Sequence, residues 1–149
     1  EHEIARIPSA DWIHVDIMDG MFVPNFSMGY PQIRALKKRT DKLLDVHLMI
    51  ENPVRYIRDF SDAGADIITV HVESEKSDQI ERTIKEIHER KKKAGLALSP
   101  GTPPEALPPQ IVAVEHPGKI ALLLLLLASA PERCLPASDR SRADMQSPS

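Results

Sequence analysis

Polar and aliphatic residues alternate with period two in three stretches of the chain: His14-Val15-Asp16-Ile17-Met18, Asp45-Val46-His47-Leu48-Met49 and Thr69-Val70-His71-Val72-Glu73. In an extended strand, residues i, i+2 and i+4 project from one face and the intervening ones from the other. The pattern predicts strands over 12–18, 43–50 and 66–72, with Val, Ile and Leu turned towards a layer of helices. His14, Asp16, His47 and His71 then share the opposite face. A fourth strand, 95–99, is read from Leu96-Ala97-Leu98-Ser99, ended by Pro100-Gly101-Thr102-Pro103. A lone histidine on an apolar strand is usually a satisfied core residue. Its repetition on three successive strands points instead to a site.

Helical signals fill the gaps. Gly29-Tyr30-Pro31 opens a helix containing Ile33 and Leu36, and Lys37-Lys38-Arg39 closes it with the charge that suits a helix C-terminus. Asn52 is placed to N-cap a second helix with Pro53 at its first position, a stripe of Tyr56, Ile57 and Phe60, and Gly64 as its terminating glycine. A third begins near Ser77-Asp78, with Glu81 placed for a capping interaction, Ile80, Ile84 and Ile87 at helical spacing, and Lys91-Lys92-Lys93 before Gly95. Alternating strands and helices predict parallel strands, neighbouring in sequence order, joined by right-handed crossovers. One polar strand face fits a barrel interior better than a doubly wound sheet, which is aliphatic on both faces. The Asp19-Gly20-Met21-Phe22 loop then lies at the C-terminal rim, where barrels place their chemistry. Neither a dinucleotide fingerprint nor a phosphate-binding Walker loop occurs.

Length limits the architecture. The chain has 149 residues, whereas a complete eight-unit barrel typically takes about 250. A formal charge of −3 offers no footprint for nucleic acid. The apolar run Ile120–Ala130 is 11 residues long, well short of the roughly 20 that cross a bilayer, so no membrane partner is expected. A single cysteine, Cys134, excludes an intrachain disulfide framework and suits a cytoplasmic location. After Leu107 the composition changes: Pro108-Pro109, six leucines from Leu122 to Leu127, then a Ser-, Pro-, Ala- and Arg-rich segment. The expected organisation is therefore a partial barrel over 1–107 and a low-complexity, disordered tail over 108–149.

Four motifs carry a resemblance. Trp12-Ile13-His14-Val15-Asp16-Ile17-Met18-Asp19-Gly20-Met21-Phe22-Val23-Pro24-Asn25, Leu44-Asp45-Val46-His47-Leu48-Met49-Ile50-Glu51-Asn52-Pro53, Ala63-Gly64-Ala65-Asp66-Ile67-Ile68-Thr69-Val70-His71-Val72-Glu73 and Lys93-Ala94-Gly95-Leu96-Ala97-Leu98-Ser99-Pro100-Gly101-Thr102-Pro103 resemble, in order, signatures of the ribulose-phosphate 3-epimerases. The resemblance covers about residues 8–107, roughly strands two to five of that family's (β/α)8 TIM-type barrel. It implies interconversion of D-ribulose 5-phosphate and D-xylulose 5-phosphate by proton transfer at C3, with one carboxylate on each face of the substrate and one divalent metal ion. Asp16 would be a catalytic acid/base and a metal ligand, with His14 and His47 as further ligands. Zn, Fe, Mn and Co all suit imidazole plus carboxylate. Met18, Met49 and His71 would line the substrate, although the two thioethers also suit packing and His71 also suits a place behind the ligands.

The resemblance also implies what is missing. Met21 stands where the family usually has His, and Ser99 where it usually has Asn. No Asp-Gly-Gly motif follows Leu107, and Asp139 and Asp144 lie in the low-complexity segment. Neither the second catalytic Asp nor the phosphate site is expected in this chain, so activity as written would be impaired. Two other readings remain: an inactive half-barrel remnant that needs a partner chain, a homo-oligomer among the options, and a related hexulose-6-phosphate 3-epimerase.

Overall fold

The structure, a computed structural model, describes residue 4, residues 6–107 and residues 120–123. Its sheet contains β1 (Trp12–Met18), β2 (Leu43–Met49), β3 (Ile67–His71), β4 (Lys93–Ala97) and β5 (Ile120–Leu123), hydrogen-bonded in that order. Every neighbouring pair is parallel. Helices α1 (Tyr30–Lys37), α2 (Ile57–Ala63) and α3 (Ser77–Glu89) alternate with the strands. This is the expected α/β repeat, a partial TIM-type fold with strands neighbouring in sequence order. Among the described residues, no helix is long and apolar enough to cross a membrane.

The core is the helix-facing side of the sheet. Val15 and Ile17, Leu44, Val46 and Leu48, Ile68 and Val70, and Ala94 and Leu96 are buried in one cluster with Ile33, Ile57, Phe60, Ile80 and Ile87 from the helices. Burying a side chain of this size contributes about 1.5–3 kcal/mol. The other sheet face is thereby free to carry polar groups. Asp66 locks α1 to the sheet: its Oδ2 accepts from Lys37 Nζ at 2.6 Å and from the Leu44 N–H at 2.8 Å. Gly64 ends α2 at φ 113°, and a Cβ there would meet Lys37 Cγ at 2.6 Å. Glycine alone satisfies both demands.

Several local expectations change. Asn52 does not cap a helix with its side chain; it adopts a left-handed backbone (φ 49°, ψ 56°) and leads into a 3-10 turn, Pro53–Tyr56. The Val54 N–H that such a cap would bind donates to Glu75 Oε1 at 2.8 Å. Gln79, not Glu81, serves the start of α3, where its Oε1 accepts the Lys76 N–H at 3.4 Å. β4 begins and ends two residues earlier than 95–99. Lys93 N–H already bonds to Asp66 O, and Ser99 N–H turns away to the Glu73 carboxylate.

The largest difference lies in the segment expected to be unstructured. Its residues Ile120–Leu123 form β5, paired parallel with Ala94–Ala97 of β4. A parallel ladder is made of backbone groups, so a run too uniform to specify side-chain packing can still extend a sheet edge. The expectation for 108–119 and 124–149 lies outside the described residues.

Candidate metal centre

Register builds the site. Between β1 and β2, His14 lies opposite Asp45, Asp16 opposite His47, and Met18 opposite Met49. Because these strands are parallel and in step, their polar residues meet on the face away from the helices. His14 Nε2 lies 3.1 Å and His47 Nδ1 2.9 Å from the same oxygen, Asp16 Oδ1. One ligand atom from each of the three residues lies within 4.8 Å of the others, so the trio could hold a metal ion. Two ligands about 2.1 Å from one ion are separated by about 3.0 Å at a right angle and about 3.4 Å at the tetrahedral angle. His47 is fully buried, whereas the Asp16 side chain is 46 % exposed on the open side of the sheet.

The hydrogen bonds behind the rings show that the donor set suits a cation. His14 Nδ1 is 2.8 Å from Asp45 Oδ2. A carboxylate accepts only, so that nitrogen carries a proton and, in the neutral ring, Nε2 presents its lone pair to Asp16. Asp45 Oδ1 accepts in turn from the Thr69 hydroxyl at 3.0 Å. Thr69 has room because Gly95 lies opposite it on β4; a Cβ on Gly95 would fall 2.3 Å from Thr69 Oγ1. A lone pair facing a carboxylate is unfavourable until a proton or a metal ion comes between them.

Titration follows from these contacts. The Asp45 hydrogen bond, reinforced by the charges of Asp45 and Asp16, holds the His14 pKa above its ordinary 6.5 despite burial. Burial, with His71 alongside, pulls His47 below 6.5 against the pull of Asp16. Metal and proton compete for an imidazole lone pair. As the pH is lowered, divalent-metal affinity is therefore expected to begin falling while the pH is still above 6.5, as His14 takes up its proton, by up to about tenfold per unit. His47 joins only at lower pH. A competition titration with Zn²⁺ between about pH 6 and pH 8.5 checks this; a flat profile would contradict it.

The structure brings the other expected residues to the same face. Met18 and Met49 form the next rung after Asp16 and His47. His71 on β3 reaches His47, with the two Nε2 atoms 2.9 Å apart, while its Nδ1 is 3.3 Å from Glu73 Oε2. Neither ring nitrogen is left for a substrate. Asp45, Thr69 and Glu73 carry contacts to which sequence reasoning assigned no role. For Asp45 and Thr69 the signal was present, because period two places them on the face of His47 and His71. Asp19 organises the rim loop, accepting from the N–H groups of Met21 (2.8 Å), Phe22 (3.0 Å) and Glu51 (2.8 Å). Burial would raise its pKa, but these N–H groups outweigh it and hold the carboxyl below the usual range.

A sequence model of the ribulose-phosphate 3 epimerase family matches residues 1–131. The chain belongs to that family. The match runs beyond the four motifs at both ends and takes in β5. A ribulose-phosphate 3-epimerase of Synechocystis is 55% identical over 94 residues, which make up 63% of this chain and 41% of that protein. The chloroplastic ribulose-5-phosphate-3-epimerase of Arabidopsis thaliana is 48% identical over 102 residues (68% and 36%). A cytoplasmic isoform from Oryza sativa subsp. japonica is 42% identical over 115 residues (77% and 50%). The chain thus spans half the length, or less, of these curated relatives. In this epimerase family chain, the cluster is formed by the first two of the four motifs.

Proposed function

We propose that the chain carries the metal-binding half of a ribulose-phosphate 3-epimerase site, acting on D-ribulose 5-phosphate and D-xylulose 5-phosphate. One observation supports this reading above the others: in a member of this family, donors from His14, Asp16 and His47 converge within 4.8 Å. A divalent ion of the Zn, Fe, Mn or Co type would polarise the substrate carbonyl and so acidify the C3 proton. Asp16, whose Oδ1 lies within 3.1 Å of both imidazoles, exchanges that proton on one face of the substrate. Met18 and Met49, side by side beyond the ligands, give the substrate carbons an apolar floor. We place the protein in the cytoplasm on its single cysteine and on the rice isoform; the chloroplastic relative makes the plastid the other setting.

Inversion at C3 also needs a proton donor on the opposite face, and the family likeness assigns no residue of this chain to that task. Losing one of two proton-transfer groups typically costs 10²–10⁴-fold. The purified 149-residue chain is expected to bind one divalent ion, measured by calorimetry. Its conversion of ribulose 5-phosphate, followed by a coupled assay free of host enzyme, should run about 10²–10⁴-fold below that of a full-length relative. A chain that binds no divalent ion would overturn the proposal.

A further inference from the structure

His71 is the imidazole for which the metal reading has no use. It is 4 % exposed, stacked on His47 with centroids 5.0 Å apart and planes 22° apart, and packed against Phe22 at 5.1 Å. Its Nε2 faces His47 Nε2 at 2.9 Å. Two facing ring nitrogens share one proton, so one of them donates and the other accepts.

Glu73 decides which. It follows β3 in a short 3-10 turn, Val72–Ser74, and its Oε2 lies 3.3 Å from His71 Nδ1. Its Oε1 accepts the Ser99 N–H at 2.7 Å, and the Thr102 side chain also hydrogen-bonds to the Glu73 carboxylate. Burial raises the Glu73 pKa, but these bonds outweigh it and hold the group ionised below the usual carboxyl range. An ionised carboxylate can only accept, so His71 carries its proton on Nδ1 and has a bare Nε2. His47 must then donate from its own Nε2. That leaves His47 Nδ1 without a proton, 2.9 Å from Asp16 Oδ1.

We propose that Glu73 and His71 are positioning residues that set the tautomer of His47, so that its Nδ1 lone pair faces Asp16. The consequence for a bound cation rests on the metal-site reading above; the tautomer assignment does not. Asp45 does the same for His14 through a single bond. His47, whose outer nitrogen faces another imidazole, needs two links to reach a carboxylate. Partners of this kind, one shell behind a metal ligand, typically alter metal affinity by 10–100-fold.

The proposal is tested by Glu73→Gln, which keeps the size of the side chain and reverses the relay. With its amide oxygen still on the Ser99 N–H, the amide nitrogen donates to His71 Nδ1. His71 then donates from Nε2 and His47 is forced to protonate Nδ1. Long-range ¹H–¹⁵N correlation spectra of the metal-free chain are expected to show His47 protonated on Nε2 in the wild type and on Nδ1 in Glu73→Gln. Zn²⁺ affinity should fall about 10–100-fold in the variant. His71→Gln can accept from His47 through its amide oxygen while donating to Glu73, so it should keep both the tautomer and most of the affinity. A merely structural role would weaken both variants alike.

An unchanged His47 tautomer in Glu73→Gln overturns the proposal. So does a His47 protonated on Nδ1 in the wild type, and that result stands even if the variant fails to fold, which thermal melts would show. A wild type that binds no Zn²⁺ overturns the metal reading instead, and the spectra alone then decide the tautomer.

Discussion

Asp16→Asn is expected to lower divalent-metal affinity by more than about 100-fold while leaving the fold intact. Removing a partner one shell behind a ligand costs 10–100-fold, and Asp16 is the carboxylate at the centre of the donor set, touching both imidazoles through one oxygen. Asparagine is isosteric but brings no charge, and its amide nitrogen cannot coordinate as a carboxylate oxygen does. The Asp16 side chain is half exposed and takes no part in the helix-facing core, so the unfolding midpoint should move little. Competition titration with Zn²⁺ and urea denaturation, run on the same preparations, separate the two effects. Affinity within threefold of the wild type would mean that the cluster is not a metal centre. Affinity is a more direct readout than turnover, since it reports on the donor set itself rather than on every group that proton transfer requires.

Leu48→Ala should do the reverse. Leu48 is completely buried between Ile17 and Val70 of the neighbouring strands, on the sheet face opposite His47 and Met49. Truncating a buried leucine removes its transfer free energy and leaves a cavity, at a cost of about 2–5 kcal/mol. Against the 5–15 kcal/mol by which domains are typically stable, that is a large share. The fraction that remains folded should bind metal with nearly unaltered affinity, because the substituted side chain faces the helices and the ligands face away. A loss below about 1 kcal/mol in urea denaturation would show that this face is not the core. Together the two variants divide the sheet into a side that holds the protein together and a side that holds its chemistry.

That division was legible in the sequence because a strand has only two faces. Once 12–18, 43–49 and 67–71 are strands, period two sends His14, Asp16, His47 and His71 one way and the aliphatics the other. Helices were readable in existence but less so at their ends. Gly64 terminates α2 as its position implies, yet Asn52 turns the chain with its backbone, since Glu75, 23 residues on, takes the N–H its side chain would have capped. A competition of that kind is settled between distant residues, and local propensity cannot show it.

By itself, then, the sequence of this protein determined the order of strands and helices, the face on which each strand residue lies, and through four ordered motifs the family. Only the tertiary structure decided the rest. It set the register that puts Asp16 beside His47, the ring nitrogen that each histidine turns inward, and the reach of Glu73 and Asp45 to the backs of those rings. It also placed Ile120–Leu123 on the edge of β4. The reason is the range of the interactions. Periodicity and turn chemistry act over a few residues, whereas strand pairing, and the bonds that tie His14 to Asp45 and His47 to His71, join residues 22 or more positions apart, which no local pattern encodes.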